Sequence, residues 1–348
     1  MSDKNAYHVV GAGIAGLLSA WFLDQEGCDV TLHNNPEIQA ASGIAAGLIN
    51  PITGKRFAKT WMADEIFPFA IATYESIQQT IGRTFFQPIN IMRLADTISQ
   101  VNDWEARAQN DAFKPYIGEH TISTEIIGKL AESKGAFNIK GGAKINTAIL
   151  LKGIKGYFEQ KNKLVNKAYT ETSHKENERI IYCNGTAVHS IDGLSNLPVI
   201  PVKGHYLVCS IPDLNAKEVI QGAVSIIPQE DGLYRIGSTY QWEFAHNESE
   251  QMQIDVLKQN LEKTIRVPYT VEDVMVGIRP TSDDRRPILG GHPTLSNVYI
   301  LNGLGTKGYS LAPYFAKQLV DFIVRGTPIE KEVNIARFLN ANYHIRSL

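Results

Sequence analysis

The sequence predicts an α/β protein with two structural domains, and three observations support that fold class. The chain has 348 residues, more than the roughly 250–300 at which a single hydrophobic core usually stops growing. Hydrophobic residues make up 43% of it and charged residues 20%, which is ordinary for a globular protein. Between Tyr7 and His33, a strand, a glycine-rich turn, an amphipathic helix and a second strand follow one another, as in a parallel βαβ unit.

The turn of this unit has the spacing G-x-G-x-x-G. In that spacing the first glycine makes the tight turn, the second lets the backbone approach a pyrophosphate, and the third lets helix and strand touch. The N-terminus of the following helix offers free N–H groups to an anion. The motif therefore predicts dinucleotide binding rather than a plain tight turn. Its residues are Gly11, Ala12, Gly13, Ile14, Ala15 and Gly16.

The end of the second predicted strand departs from the usual pattern. An acidic residue is expected there to bind the ribose hydroxyls, but His33, Asn34 and Asn35 occupy the position. The amide oxygen of Asn34 accepts a hydrogen bond without the charge assistance that a carboxylate brings, so weaker cofactor affinity is expected. No Arg lies between Asp29 and Asn50 to meet a 2′-phosphate, which disfavours NADP.

Composition argues against several other classes of protein. A net charge of −2 and a pI near 6.5 do not favour nucleic-acid binding. The three cysteines, Cys28, Cys183 and Cys209, are far apart and predict no metal site. No run approaches the roughly 20 apolar residues of a membrane span, and the first residues lack a signal core. We therefore expect a cytoplasmic protein.

A second glycine-rich turn lies near the end of the chain. A strand is predicted at Asn297–Leu301 and a helix from about Ser310, with Pro313 in its first turn and Gly326 at its end. This arrangement repeats the first motif, because it again places a helix N-terminus after a glycine turn. The turn contains Gly303, Gly305, Thr306, Lys307, Gly308 and Tyr309.

Five segments in sequence order resemble the D-amino-acid oxidase-like flavoproteins, the group that contains glycine oxidase, sarcosine oxidase and the flavin domain of a tRNA-modifying enzyme. The first is the small-residue stretch Ala41–Pro51, which in that group wraps the FAD pyrophosphate. The other four are Arg179–Gly185, Ile200–Leu207, Ile227–Thr239 and the long stretch from Val276 to Gly308. Each alone fits an ordinary strand or turn, or in the first case a surface loop, but five in order are specific.

The resemblance implies a Rossmann-like FAD-binding domain with an interleaved, mostly antiparallel β-sheet substrate domain. The FAD-binding domain would comprise residues 1–84, 141–200 and 276–348, and the substrate domain residues 85–140 and 201–275. The FAD is expected to be noncovalent, since no Cys or His matches an attachment position. Besides both glycine turns, Asn34 and Asn35, the implied cofactor-binding residues are Ser42, Ala46, Gly47, Leu48, Val165, Asn184, Gly185 and Arg279.

The substrate-anchoring residues implied by the resemblance are Arg279 and Lys307. Arg279 occupies the family's Gly-x-Arg-Pro position, where an Arg holds a substrate carboxylate with two parallel hydrogen bonds; a structural salt bridge is the alternative. Glycine oxidase-like members carry another Arg in the loop that here contains Thr306 and Lys307. A lysine supplies a point charge but no planar fork, so a different carboxylate, or a substrate without one, stays open.

The implied reaction is oxidation of the C–N bond of a small amine or amino acid. Hydride passes to flavin N5, the imine hydrolyses in water, and O2 or another acceptor reoxidises the flavin. Three alternatives are a flavin domain acting on a tRNA-linked aminomethyl group, a nicotinamide dehydrogenase and a flavin-binding protein without turnover. The mild negative charge and missing partner domain disfavour the first, and the second leaves the later glycine turn unexplained.

The lysine-rich stretch from Lys152 to Arg179 is interpreted as an exposed helix and hairpin, not a binding patch.

Overall fold

We analysed a computed structural model of the chain. It describes residues 5–54, 56–118, 124–170, 177–230, 232–244 and 250–339. Asp231, in the resembling segment Ile227–Thr239, lies outside them. The strands are β1 Ala6–Val10, β2 Asp29–Asn34, β3 Leu48–Ile49, β4 Ile52–Thr53, β5 Ala58–Lys59, β6 Phe86–Ala95, β7 Gly135–Ile145, β8 Leu164–Asn166, β9 Glu178–Tyr182, β10 Val199–Ser210, β11 Val219–Gln221, β12 Ser225–Pro228, β13 Leu233–Gly237, β14 Thr270–Ser282, β15 Ile288–Gly291 and β16 Val298–Asn302. The α-helices are α1 Ile14–Gln25, α2 Ala41–Ile44, α3 Ala63–Ile81, α4 Ile98–Ala108, α5 Thr124–Ile127, α6 Thr147–Gln160, α7 Glu250–Glu262 and α8 Gly308–Arg325.

The first sheet has the strand order β15-β16-β9-β1-β2-β8. Its strands run parallel except for β15, which is antiparallel to β16. Val10 at the end of β1 is in register with His33 on one side and with Tyr182 on the other. The residues that follow these strands therefore meet at one edge of the sheet, where ligands bind in open α/β folds. The predicted Rossmann-like unit is confirmed.

The second sheet has the order β14-β10-β13-β12-β11-β6-β7-β3. Only the pair β6–β11 is parallel, so this sheet is mostly antiparallel, as predicted. Its strands come from chain segments that alternate with those of the first sheet. β7 and β14 run across the predicted domain boundaries at 140/141 and 275/276, and the exact division stays a prediction.

Helices α1 and α8 cover the first sheet, and their apolar faces form much of the main core. The sequence places Leu311, Phe315, Leu319, Phe322 and Ile323 on one face of α8; all of these are buried except Phe322, which is partly buried. A smaller core lies where α7 packs on the second sheet. No helix within the described ranges is long and apolar enough to cross a membrane.

Helix α8 begins two residues earlier than predicted, so Pro313 lies in its second turn rather than its first. A proline has no N–H, and the carbonyl four residues before it, that of Tyr309, loses its helical partner. The buried hydroxyl of Tyr74 on α3 donates to that carbonyl at 2.7 Å. The proline is thus accommodated, and the start of α8 is tied to α3.

The predicted hairpin between Lys152 and Arg179 is wrong. Its helix exists as α6, but β8 pairs with β2 at the edge of the first sheet, whereas β9 pairs with β1 and β16 inside it. Two short strands separated by turn residues look like a hairpin in the sequence. Whether they pair with each other or with distant strands depends on the long-range order of the sheet.

We predict that Gly16→Ala destabilises the protein. A Cβ at Gly16 would clash with the carbonyl oxygen of Gly11, and overpacking of this kind costs about 1–3 kcal/mol. Gly156 on α6 is the control, because a Cβ there meets nothing within 4 Å; Gly156→Ala should stabilise by about 0.5–1 kcal/mol. Urea titration measures both free energies of unfolding. Wild-type stability in Gly16→Ala would show that helix and strand do not touch there.

Candidate cofactor and substrate site

One cleft of about 1450 Å³ dominates the part of the chain that the structure describes. Its walls come from the carboxyl edge of the first sheet, the two glycine turns and one face of the second sheet. Pockets for a single drug-sized ligand usually span about 300–1,000 Å³. The cleft is therefore large enough for a dinucleotide with a small substrate beside it.

The first glycine turn brings the backbone close to both the sheet and the cleft. Gly11 has φ +107°, and a Cβ there would lie 2.5 Å from the carbonyl oxygen of Cys183. Only glycine fits this position. Helix α1 follows, and its N-cap residue is Gly13, which has no side chain to cap the helix. The first turn of α1 contains no acidic residue. The positive end of the helix is thus left for an anionic ligand.

The second glycine turn repeats this arrangement beside the first. Gly303 and Gly305 have positive φ values, and α8 begins at Gly308 without a side-chain cap or an acidic first-turn residue. A Cβ at Gly308 would lie 3.4 Å from the side chain of Ile14. The starts of α1 and α8 therefore lie side by side.

The small-residue loop is held against both helix starts by Ser42. The Ser42 hydroxyl accepts a hydrogen bond from the backbone N–H of Ile14 at 3.0 Å. The backbone carbonyl of Ser42 accepts a hydrogen bond from the hydroxyl of Tyr309 at 2.7 Å. This single residue links the loop to α1 and α8.

Arg235 on β13 holds the same loop from the second sheet. Its Nη1 donates to the carbonyl oxygens of Ala45 at 2.7 Å and Ile44 at 3.2 Å, and burial lowers its pKa. Sequence analysis missed this residue because an isolated Arg in a strand carries no local signal. The contact couples the substrate-facing sheet directly to the loop.

The predicted adenosine end of the cleft contains Asn34. Its Nδ2 donates to Oδ1 of Asn166 at 2.8 Å, so the Asn34 oxygen is available as an acceptor. Beside it, the ring of His33 packs edge-on against Tyr169 with centroids 4.8 Å apart. Burial and the neighbouring His8 lower the pKa of His33 to about 4. This end is therefore uncharged at neutral pH.

Arg279 reaches the cleft from β14 and is only 9% exposed. Its Nη1 donates to the carbonyl oxygen of Thr239 at 3.1 Å, and the guanidinium lies 4.9 Å from the ring centroid of Tyr240. Gly204 on the adjacent strand makes the room, since a Cβ there would clash with the guanidinium. No carboxylate among the described residues pairs with Arg279, so the predicted alternative of a structural salt bridge finds no partner there.

Lys307 points from the second turn toward the β4–β5 hairpin. Its Nζ lies 3.1 Å from the hydroxyl of Thr60 and 3.4 Å from that of Thr53. Burial, reinforced by the charge of Arg286, lowers the pKa of Lys307 to about 8. The ammonium group is thus a half-buried cation whose partners are neutral hydroxyls.

The structure brings almost the whole predicted site together. Every predicted site residue lines the cleft except Gly16, which packs behind the first turn, and Val165, which lies exposed on the edge strand β8. Among the described lining residues there is no Asp or Glu. Sequence analysis did not single out these further lining residues: Asn50, Trp61, Tyr206, Gln221, Ser225, Arg285 and Arg286.

Fold and site together define a dinucleotide-binding protein whose cleft is built for anions. The family described as DAO, FAD dependent oxidoreductase, matches residues 7–322. The chain belongs to this family and is an FAD-dependent oxidoreductase. The predicted cofactor is thereby confirmed.

Two curated relatives and one solved structure illustrate the similarity. Glycine oxidase of Pseudomonas aeruginosa is 24% identical over 92% of this chain and 95% of its own length. The bifunctional tRNA 5-methylaminomethyl-2-thiouridine biosynthesis protein MnmC of Pseudoalteromonas atlantica is 20% identical over 100% of this chain but 60% of its own length. The crystal structure of glycine oxidase from Geobacillus kaustophilus has a TM-score of 0.79 and 19% identity, covering 98% of this chain and 100% of that one.

We predict that Asn34→Asp tightens FAD binding. A carboxylate in place of the amide makes a charge-assisted bond to the ribose, a gain of about 1 kcal/mol or roughly fivefold in Kd. Asn34→Leu, which removes the acceptor, should weaken binding. Titration of apoprotein with FAD, followed by flavin fluorescence, measures both. Equal Kd values for all three proteins would mean that Asn34 does not contact the ribose.

Proposed function

We propose that the protein oxidises the C–N bond of a small amine or amino acid that bears a carboxylate, with noncovalent FAD as its cofactor. One observation carries the proposal: Arg279 is a buried guanidinium in the cofactor cleft without a carboxylate partner among the described residues. A buried charge needs a counter-charge. A substrate carboxylate matches the planar fork of an arginine.

The residues at the cleft fit FAD. The start of α1, whose N-cap residue Gly13 has no side chain, and the Ser42 loop suit the pyrophosphate, and the start of α8 suits the pyrimidine edge of the flavin. When bound, FAD supplies the electron acceptor for the oxidation. The domain division and the site residues implied by the resemblance belong to this proposal.

The protein's own contribution is orientation. Arg279 holds the carboxylate, and Tyr240 packs against the guanidinium, which limits the directions that the amine end can take. No acidic side chain lines the described part of the cleft, so no carboxylate stands ready as a base. The amine must therefore arrive in its neutral form, having lost its proton to water.

Lys307 adds positive charge beside the start of α8. In this proposal it stabilises negative charge at the pyrimidine edge or on the substrate carboxylate, as the helix start does. Its hydroxyl partners, Thr53 and Thr60, position the ammonium without neutralising it. The charge stays available to a ligand.

The alternative of a tRNA-linked substrate draws on the similarity to MnmC. The net charge of −2 does not favour it, because binding to a phosphate backbone relies on an excess of basic residues. Five cationic residues line the cleft itself, Lys59, Arg279, Arg285, Arg286 and Lys307. A small-molecule substrate is the better match.

We predict that Arg279→Met raises KM for carboxylate-bearing amines by about 10- to 100-fold, the cost of losing a charged hydrogen-bonded pair. The purified protein should be yellow, and anaerobic bleaching of its flavin by glycine, N-methylglycine and D-amino acids identifies substrates. Arg266→Met is the control, since Arg266 is exposed and pairs only distantly with Glu132. An Arg279→Met protein that keeps both FAD and the wild-type KM would contradict the anchoring role.

We predict that carboxylate binding weakens as pH rises through about 8, because Lys307 loses its charge there. The lysine is protonated below that pH and neutral above it, while acetate stays ionised throughout. Acetate is titrated between pH 7 and 9.5, with flavin absorbance as the readout. Lys307→Arg should bind acetate with little pH dependence, and Lys307→Met should bind it weakly at every pH. A wild-type affinity that does not vary with pH would exclude Lys307 from the anion site.

A further inference from the structure

We propose that Arg286 and Lys307 form a second anion subsite in the cleft, and that the substrate carries two carboxylates, one on Arg279 and one on this pair. The inference rests on the proposed function and names its substrate class. The family resemblance implies no role for Arg286. Three observations support the inference: the guanidinium N–H groups of Arg286 have no acceptor among the described residues, Lys307 lies close to Arg286, and the cleft lining has cationic but no acidic described residues.

The guanidinium of Arg286 is fixed in place but has no acceptor. It lies 4.0 Å from the ring centroid of Trp61, and within the described ranges no atom accepts a hydrogen bond from it. Its backbone is held by Asp284 and Ser282. The carboxylate of Asp284 is already paired with Arg337 at 2.8 Å, so it does not neutralise Arg286.

Arg286 and Lys307 meet at one short segment of the cleft wall. Lys307 contacts the hydroxyl of Thr60, and Arg286 packs on Trp61, the next residue. The charge of Arg286 contributes to the lowered pKa of Lys307. Two like charges in a half-buried wall repel each other, and an anion between them offsets that cost.

The charge balance of the cleft leaves this pair unmatched. Its lining contains five cationic residues and, among the described residues, no acidic one. Lys59 is paired with Asp64 at 2.6 Å, and Arg285 is exposed. The helix starts would hold the pyrophosphate of bound FAD, and a single carboxylate would satisfy Arg279. A second carboxylate accounts for the remaining two cations.

Arg279 and Lys307 come from segments that touch. An isolated β-bridge joins Thr281 to Leu304, two residues after Arg279 and three before Lys307. One small molecule therefore has cations available at both ends. The combination of a planar fork and a point charge favours a carboxylate over a neutral polar group.

The test compares dicarboxylates with monocarboxylates on the FAD-loaded protein. Malonate, succinate and glutarate are titrated beside acetate and propionate, with flavin absorbance and the shift in Tm as readouts. At least one dicarboxylate should bind tenfold or more tightly than the monocarboxylates. Arg286→Met should reduce that preference to less than threefold. Arg266→Met, which removes a remote charge, should retain the full preference.

Two outcomes would overturn the subsite. One is a dicarboxylate preference that is absent from the wild type or intact in Arg286→Met. The other is an Arg286→Met protein whose flavin midpoint potential shifts while its ligand preference is kept, which would assign the pair to the cofactor. Flavin bleaching by amines is measured separately on the same preparations. If the flavin is bleached only by amines with one carboxylate, the proposed oxidation stands and the subsite fails.

Discussion

The structure depends on the attachment of one small-residue loop to two helix starts. The backbone N–H of Ile14 donates to the Ser42 hydroxyl, and the Tyr309 hydroxyl donates to the Ser42 carbonyl. Neither helix carries an acidic residue in its first turn. The protein therefore leaves two positive helix ends unneutralised next to each other, an arrangement that is costly without an anion and favourable with one.

The second sheet completes this arrangement through two arginines with different tasks. Arg235 donates to carbonyl oxygens of the loop and fixes the distance between sheet and cofactor wall. Arg279, on the same sheet, projects into the cleft and keeps most of its donors free. In the proposed function, Arg279 anchors the substrate while Arg235 supports the loop, and the two arginines keep the substrate in a constant position relative to the loop.

Local patterns predicted most of the fold and the cofactor wall, because glycine spacing and apolar periodicity act over a few residues. The turn at Gly11 is of this kind, whereas the position of Arg279 is implied by the family resemblance. The missing parts depend on contacts between distant segments. β8 and β9 pair with different strands of the first sheet, and those strands are distant in sequence. Arg286 becomes a candidate site residue only through its contact with Trp61, which is also distant in sequence. In the sequence alone, two adjacent arginines such as Arg285 and Arg286 suggest a solvated surface.

The distribution of charge along the cleft links these observations. The end that contains Asn34 lacks the usual carboxylate and stays neutral, while the end beside α8 gathers Lys307 and Arg286 without acidic partners among the described residues. Removing a negative group from one end and leaving cations at the other both increase the net positive potential of the cleft. Such a cleft attracts anionic ligands as a whole, and the position of each cation then determines where each negative group binds.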